Sequence, residues 1–208
     1  MNLNLKETKK FYNREGYYIY KGLLKKNEMN EIRSSLSDYV TIKQKEGSSR
    51  NINFAAKKQI NSVHNMTDWK WIKKFQKNKD LLRVVKKLIS NEVKEFGAEL
   101  FAKPAKIGLK APVHQDNYYW CINDANALTV WIALEDSDIR NGGVYYYKKS
   151  HELGLLEHKK SYSPGSSQTL KYPESMKHFK KITPKLKAGD CIIHHCLVVH
   201  GSEANRSP

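Results

Sequence analysis

Apolar side chains follow two different rhythms along the 208 residues of this chain. In the part covering about 1–91 the spacing is mostly helical. Leu5 to Asn13 predicts a first helix, Gly16 interrupts it, and Tyr17-Tyr18-Ile19-Tyr20 has the β-branched and aromatic content of a strand. Met29, Ile32, Leu36 and Tyr39 recur every three or four positions over a polar background, which predicts a second helix ending near Lys43. The stretch Gly47-Ser48-Ser49-Arg50-Asn51 predicts a loop, and loops of that composition often sit over sites. Helical spacing resumes with Trp69, Trp71, Ile72 and Phe75, then with Leu81, Leu82, Val85, Leu88 and Ile89.

After Asn91 the rhythm changes to short apolar runs separated by turn residues. Strands are expected at Ala98 to Lys103, Ala127 to Leu134, Gly143 to Tyr147, Ile182 to Leu186, Cys191 to His194 and Leu197 to His200. The connectors carry Pro104, Pro112, Asn141-Gly142-Gly143, Ser163-Pro164-Gly165 and Ala188-Gly189-Asp190. Many short strands at fairly even spacing suggest a sandwich or barrel, with the preceding helices packed on one outer face. The length fits one domain over 1–208, with a helical part at about 1–91 and a β core at about 92–208.

Composition sharpens this picture in three ways. A hydrophobic fraction of 39%, with four Trp and twelve Tyr, excludes a disordered chain. The net charge of +16 raises a nucleic-acid reading, but Lys25, Lys26, Lys73, Lys74, Lys86 and Lys87 are spread over solvent-facing helical positions rather than clustered. No nucleic-acid partner is therefore expected, whereas an anionic small molecule would be welcomed. The longest apolar run, Ala127 to Leu134, is too short to span a bilayer, and no apolar stretch follows the charged opening residues as a secretory signal requires. Cys121, Cys191 and Cys196 form no CxxC pair and are odd in number, so reduced thiols and a cytoplasmic setting are expected.

Candidate chemistry starts at His114-Gln115-Asp116. In an extended strand, residues i and i+2 project from one face, so an imidazole and a carboxylate can reach a single point. Alone, such a triplet is common. His200, read as closing a strand near the end of the β-rich part and followed by Gly201-Ser202, changes its weight, because an antiparallel jelly roll lays early and late strands side by side. Two imidazoles and one carboxylate on one face leave three open positions on a metal, the set that suits iron(II), a bidentate oxoacid and dioxygen. His194 and His195 compete with His200 for the third place; they read as surroundings of the ligands or as strand packing, while His64, His151, His158 and His178 read as surface or structural.

The ordered set His114-Gln115-Asp116-Asn117, Trp131-Ile132-Ala133-Leu134, Asn141-Gly142-Gly143, Ser150-His151, Ala188-Gly189-Asp190 and His200-Gly201-Ser202 with Asn205 and Ser207 resembles the phytanoyl-CoA dioxygenase family. The opening Gly16-Tyr17-Tyr18-Ile19-Tyr20-Lys21-Gly22-Leu23-Leu24 is similar to that family's first strand, so the resemblance covers nearly the whole chain. It implies a double-stranded β-helix, a cupin-like jelly roll, that uses Fe(II), 2-oxoglutarate and O2. It implies further that His114, Asp116 and His200 hold iron, that Trp131 lines the oxoacid pocket and that Ser202 bonds the oxoacid's carboxylate. A carboxylate at Asp116 favours hydroxylation, since related halogenases carry a small residue there.

The residues by themselves leave alternatives open: Trp131 also reads as core, Ser202 as a turn hydroxyl, and Lys103 either as a cation for an acidic group of the oxoacid or as a solvated lysine. Asn117, Tyr119 and Trp120 are placed to wall the open side of the metal against substrate, or to pack in the core. Lys149 stands where a glycine commonly precedes Ser-His in the family. The family's oxoacid-binding arginine lies on a strand beyond Pro208, so a chain truncated at its C-terminus is expected, and Arg206 is not assigned that role. The reading is a hydroxylase of a small metabolite. The alternatives are a metal-binding jelly roll without oxygenase activity and, behind it, a nucleic-acid-binding protein.

Overall fold

A computed structural model describes residues 4–45, 51–55, 59–163 and 166–208. The chain opens on α1 (Leu5–Glu15), whose first turn is capped by the Asn4 side chain accepting from the Lys6 and Glu7 amides at 3.1 and 3.2 Å. Gly16 ends it in the left-handed region at φ 81°, its N–H returning to the Tyr12 carbonyl. A side chain at Gly16 would also collide with His151, whose Nδ1 would lie 2.6 Å from the added carbon. Strand β1 (Tyr17–Tyr20) follows as the sequence predicts, and α2 (Lys26–Lys45) is longer at both ends than the apolar spacing indicates. Of the loop expected at 47–51, only Asn51 lies within the described residues.

The next strands are β2 (Ile52–Phe54), β3 (Ile60–Val63) and β4 (Leu100–Phe101), which form a small sheet in that order. Neither β2 nor β3 was expected. The predicted strand at 98–103 shrinks to the two residues of β4, which pair with β3 rather than with the main sheets. Between β3 and β4 lie α3 (Lys70–Phe75) and α4 (Lys79–Leu88).

The remaining elements are β5 (Ala111–His114), the single turn α5 (Asn117–Trp120), β6 (Leu128–Ile132), β7 (Val144–Tyr147), β8 (His158–Ser163), β9 (Ser166–Leu170), β10 (Lys181–Ile182), β11 (Cys191–His195) and β12 (His200–Ser202). Two antiparallel sheets result, β1-β11-β6 and β10-β7-β12-β5, with β8 and β9 as a separate pair packed beside β5. β1 therefore belongs to the β core, and the expected division near residue 91 is crossed by pairing of Tyr17 with His194.

Alternation along the strands decides what each sheet face meets. In β11, Cys191 and Ile193 join the helices' core with Leu23, Met29, Ile32, Trp71, Leu81 and Val84, and Val130 of β6 packs there too. Ile192 faces the other way and packs with Tyr17, Trp131 and Tyr146, so side chains from both sheets meet between them. A fully buried Ile or Leu contributes about 1.5–3 kcal/mol, so both faces of β11 are anchored by burial. This is the jelly-roll arrangement with helices on one outer face, although its sheets are not closed into a barrel.

Two further expected strands differ from the observed ones, and two observed strands were not expected. Leu197 to Val199 are a turn, tightened by the Val198 N–H to the His195 carbonyl, and His200 opens β12 instead of closing a strand. The run 182–186 contributes only to β10, with Leu186 in an isolated bridge to Ser137. The polar β8 and β9, flanking Ser163, had no apolar alternation to announce them.

Candidate metal centre

His114 ends β5 and His200 begins β12, directly opposite each other in the register, with ring centroids 4.3 Å apart. Each imidazole is held by the carbonyl two residues before it. His114 Nδ1 lies 2.8 Å from Pro112 O and His200 Nδ1 lies 3.0 Å from Val198 O, so both Nδ1 atoms donate and both Nε2 lone pairs stay free. Gly201 lets the strands close up here, because a Cβ on it would sit 2.8 Å from the Tyr145 hydroxyl and 3.0 Å from the Ala111 carbonyl.

Asp116 does not sit in an extended strand, as the i, i+2 argument assumed. Its backbone is helical (φ −62°, ψ −37°) at the entry to α5. Its Oδ1 still comes to 3.7 Å from His114 Nε2 and 3.4 Å from His200 Nε2. Ligand atoms of the three residues lie within 4.8 Å of one another, and among the described residues no other group of His, Cys, Asp or Glu does this. Two neutral imidazole nitrogens and one carboxylate oxygen form a donor set that fits iron(II).

Electrostatics agrees with that use at His114 and Asp116. Burial, with His200 beside it, pushes the His114 imidazole down to about 4, leaving it neutral and able to bind a metal. Burial would raise the Asp116 carboxyl, but His200 and His194 outweigh it and hold the group well below the usual carboxylate range. Burial likewise opposes charge on His200, and Asp116 reverses the sign and raises it.

Around the ligands, His194 sits where the sequence reading put it, whereas Thr129, Tyr146 and Gln115 escaped that reading. Asp116 Oδ2 accepts from Thr129 Oγ1 at 2.6 Å and from His194 Nε2 at 3.0 Å. Behind His194, the Tyr146 hydroxyl lies 3.2 Å from Nδ1. Gln115, fully buried, donates to the Gly154 and Leu197 carbonyls at 2.8 and 2.7 Å and accepts from the Leu156 N–H at 2.8 Å. Its own N–H donates to His158 Nε2 at 3.1 Å, and the His158 ring stacks on Tyr118 at 4.2 Å. The x of the HxD triplet thus ties it to the β8–β9 side of the molecule. A buried Gln between two ligands was the available signal.

The other candidate residues fall in different places. Trp131 and Ser202 lie on the two faces that meet between the sheets, Trp131 opposite Ile192 and Ser202 two residues along from His200 and buried. Lys103 donates to the Glu203 carbonyl, and burial lowers its ammonium to about 8. Asn117, expected to face substrate, is instead spent on its own turn, its amide bonding Ile122 N and O at 3.1 and 2.9 Å. Tyr119 sets its ring edge against His114 and accepts from the Gln168 N–H at 3.1 Å, and Trp120 packs against Phe96. His195 points to the helix side, its ring 6.1 Å from Tyr12 and 5.3 Å from His151. Arg206 is exposed, with its N–H on the Arg140 carbonyl.

The profile of the phytanoyl-CoA dioxygenase family matches residues 12–208, from the last turn of α1 to the end. The chain belongs to the phytanoyl-CoA dioxygenase family. A probable phytanoyl-CoA dioxygenase of Caenorhabditis elegans is 25% identical over 222 residues, covering 97% of this chain and 70% of that protein. The peroxisomal phytanoyl-CoA dioxygenase of Homo sapiens is 21% identical over 218 residues, and the chain spans only 64% of its length. Among solved structures, EctD from S. alaskensis with 2-oxoglutarate and 5-hydroxyectoine superposes with a TM-score of 0.80 at 19% identity, over 99% of this chain and 72% of that one. The non-heme alpha-ketoglutarate-dependent carbocyclase SnoK from nogalamycin biosynthesis gives 0.76 at 22% identity, over 99% and 79%. These likenesses establish the jelly-roll fold of the family member described above.

Proposed function

We propose that this chain is an Fe(II)- and 2-oxoglutarate-dependent dioxygenase that hydroxylates a small metabolite, with residues 1–208 as one oxygenase domain. The observation that carries the reading is the convergence of His114 Nε2, His200 Nε2 and Asp116 Oδ1 where neighbouring strands β5 and β12 meet the entry to α5. Iron bound there, with 2-oxoglutarate and O2, supplies the oxidising power for C–H hydroxylation. The protein's part is to bind and orient. His114 and His200 offer fixed nitrogens, Trp131 and Ser202 are assigned to the oxoacid pocket between the sheets, and Tyr119 and Trp120 to the wall against substrate. Lys103 donates to the carbonyl of Glu203, the residue after Ser202, and is assigned to the oxoacid only through that neighbourhood. The net charge of +16 favours an anionic substrate over a neutral one.

No helix among the described residues is long and apolar enough to cross a membrane. A cytoplasmic setting is inferred from the three free cysteines, two of them buried, and no nucleic-acid partner is proposed. The test is succinate release under air with iron(II) and 2-oxoglutarate, screened over small anionic and neutral metabolites. Iron-dependent succinate that one metabolite stimulates, and that Asp116→Ala abolishes, is the expected result. Iron binding with no succinate under any condition would instead identify a metal-binding jelly roll without oxygenase activity.

A further inference from the structure

We propose that Thr129 and His194, with Tyr146 behind His194, are positioning residues that occupy one oxygen of Asp116 and so make it a one-oxygen metal ligand. The inference rests on the metal-centre reading above and adds to it what sets the number of open coordination positions. A carboxylate can bind a metal through one oxygen or chelate it through both. On a six-coordinate ion, His114, His200 and a one-oxygen Asp116 leave three positions, enough for a bidentate oxoacid and dioxygen. Chelation by Asp116 would leave two.

The geometry divides the two oxygens of Asp116 cleanly. Oδ1 is the atom approached by both ligand imidazoles, at 3.7 and 3.4 Å. Oδ2 receives two other donors, the Thr129 hydroxyl at 2.6 Å and His194 Nε2 at 3.0 Å. Short hydrogen bonds to an ionised acceptor are about twice as strong as neutral ones, so turning Oδ2 toward a metal would break two such bonds inside a buried site.

The His194 proton is placed by its neighbours. A carboxylate oxygen only accepts, so Nε2 must carry hydrogen; in the neutral ring Nδ1 then accepts, and the Tyr146 hydroxyl at 3.2 Å is there to donate to it. His194 is 2% exposed and Tyr146 is fully buried, so water does not compete for either contact. The donors come from separate strands, Thr129 in β6 and His194 in β11, which face each other in the register. Tyr146 projects from β7 of the opposite sheet, directly across from His200. The clamp therefore spans both sheets and is set by the backbone rather than by a loop.

Cobalt(II) titration of the whole chain, with an infrared difference spectrum between metal-free and cobalt-loaded protein, tests this. The gap between the asymmetric and symmetric carboxylate stretches is wide for one-oxygen binding and narrow for chelation. His194→Phe and Thr129→Val should each weaken cobalt binding by about tenfold, within the range found when partners of metal ligands are removed, and their double variant should show the narrow gap. His194→Gln, which keeps a donor, should stay within about threefold of the unaltered chain and keep the wide gap. Thr129→Val preserves side-chain shape, so it decides the matter if His194→Phe does not fold. A double variant with unchanged affinity and a wide gap overturns the proposal, as does a His194→Gln protein that behaves like His194→Phe. If the unaltered chain binds no cobalt, or binds it equally after Asp116→Ala, the metal-centre reading itself fails and this inference with it.

Discussion

His194 and His195 are adjacent in β11, yet each enters a different buried polar cluster on opposite faces of one sheet. On the inner face, His194 meets Asp116, Thr129, Tyr146 and His200. On the helix face, His195 meets Tyr12 and His151, and its Nδ1 accepts from the Leu197 N–H at 3.1 Å. The inner cluster holds a carboxylate with four imidazole or hydroxyl neighbours. The aromatic and imidazole neighbours of His195 include none, and burial with His151 and His194 nearby pushes its imidazole down to about 4. Burial likewise drives the Tyr12 hydroxyl far up and the Cys196 thiol up to about 11. Burial alone makes a cluster neutral and inert; a buried anion makes it a place where a cation can be held.

The sharpest way to break this comparison is to remove one histidine from each side. His200→Ala should reduce iron(II) or cobalt(II) affinity by roughly a hundredfold or more, since only one imidazole and one carboxylate remain. His195→Ala should leave metal affinity unchanged and lower stability by about 1–3 kcal/mol through lost packing. Calorimetric metal titration beside thermal melting reads both, and loss of metal binding in the His195 variant would move the ligand to the helix face.

What could be read in advance follows the same division. α1, β1 and α2 were legible because their apolar positions keep a clear period and Gly16 marks a stop. HxD and the distant histidine were legible because residue type and order carry the chemistry. Thr129 and Tyr146 were not, because their role depends on which strand lies opposite, and nothing local in an apolar strand records that. Leu197-Val198-Val199 looked like strand because it is apolar, but Val198 and Val199 are fully buried in a turn, where burial rather than extension demands those side chains. β2 and β3 are too short to show a period, although Ile52 and Val63 are buried in the helices' core, and β8 and β9 are polar strands held by backbone pairing where no side-chain pattern points.

A smaller effect probes the seam between the helix-face cluster and α1. Gly16→Ala must accept a left-handed backbone and push against His151, and it should lower stability by about 1–3 kcal/mol while sparing metal affinity. An unchanged melting temperature would show that the chain leaves α1 by some other path.

The smallest effect comes from a third histidine, which pairs with a carboxylate at the surface. His64 Nδ1 lies 2.9 Å from Glu99 Oε1, and that bond raises the imidazole above its ordinary value. The raised group contributes stability below the unfolded-state pKa and loses it as pH rises through the folded one. Glu99→Gln should therefore cost about 0.5 kcal/mol or less near pH 5 and nothing near pH 9, because Glu99 is half exposed. Denaturant melts at the two pH values measure it. A cost as large at pH 9 would remove the ionic part of the pair.

The order of β1 and β11 in the sheet has a consequence for assembly. Lys21, just past β1, pairs with Asp190, just before β11, across 169 positions of chain. Loop closure of that length precedes any reward from pairing, which makes such topologies slow to fold. During synthesis the helices can collapse early, but β1 must wait until Cys191 to His194 have left the ribosome before it finds its neighbour. His200 emerges later still. Iron can therefore find its full ligand set only after β1 and β11 are able to pair, and its binding stabilises an assembled sheet without guiding the chain toward it.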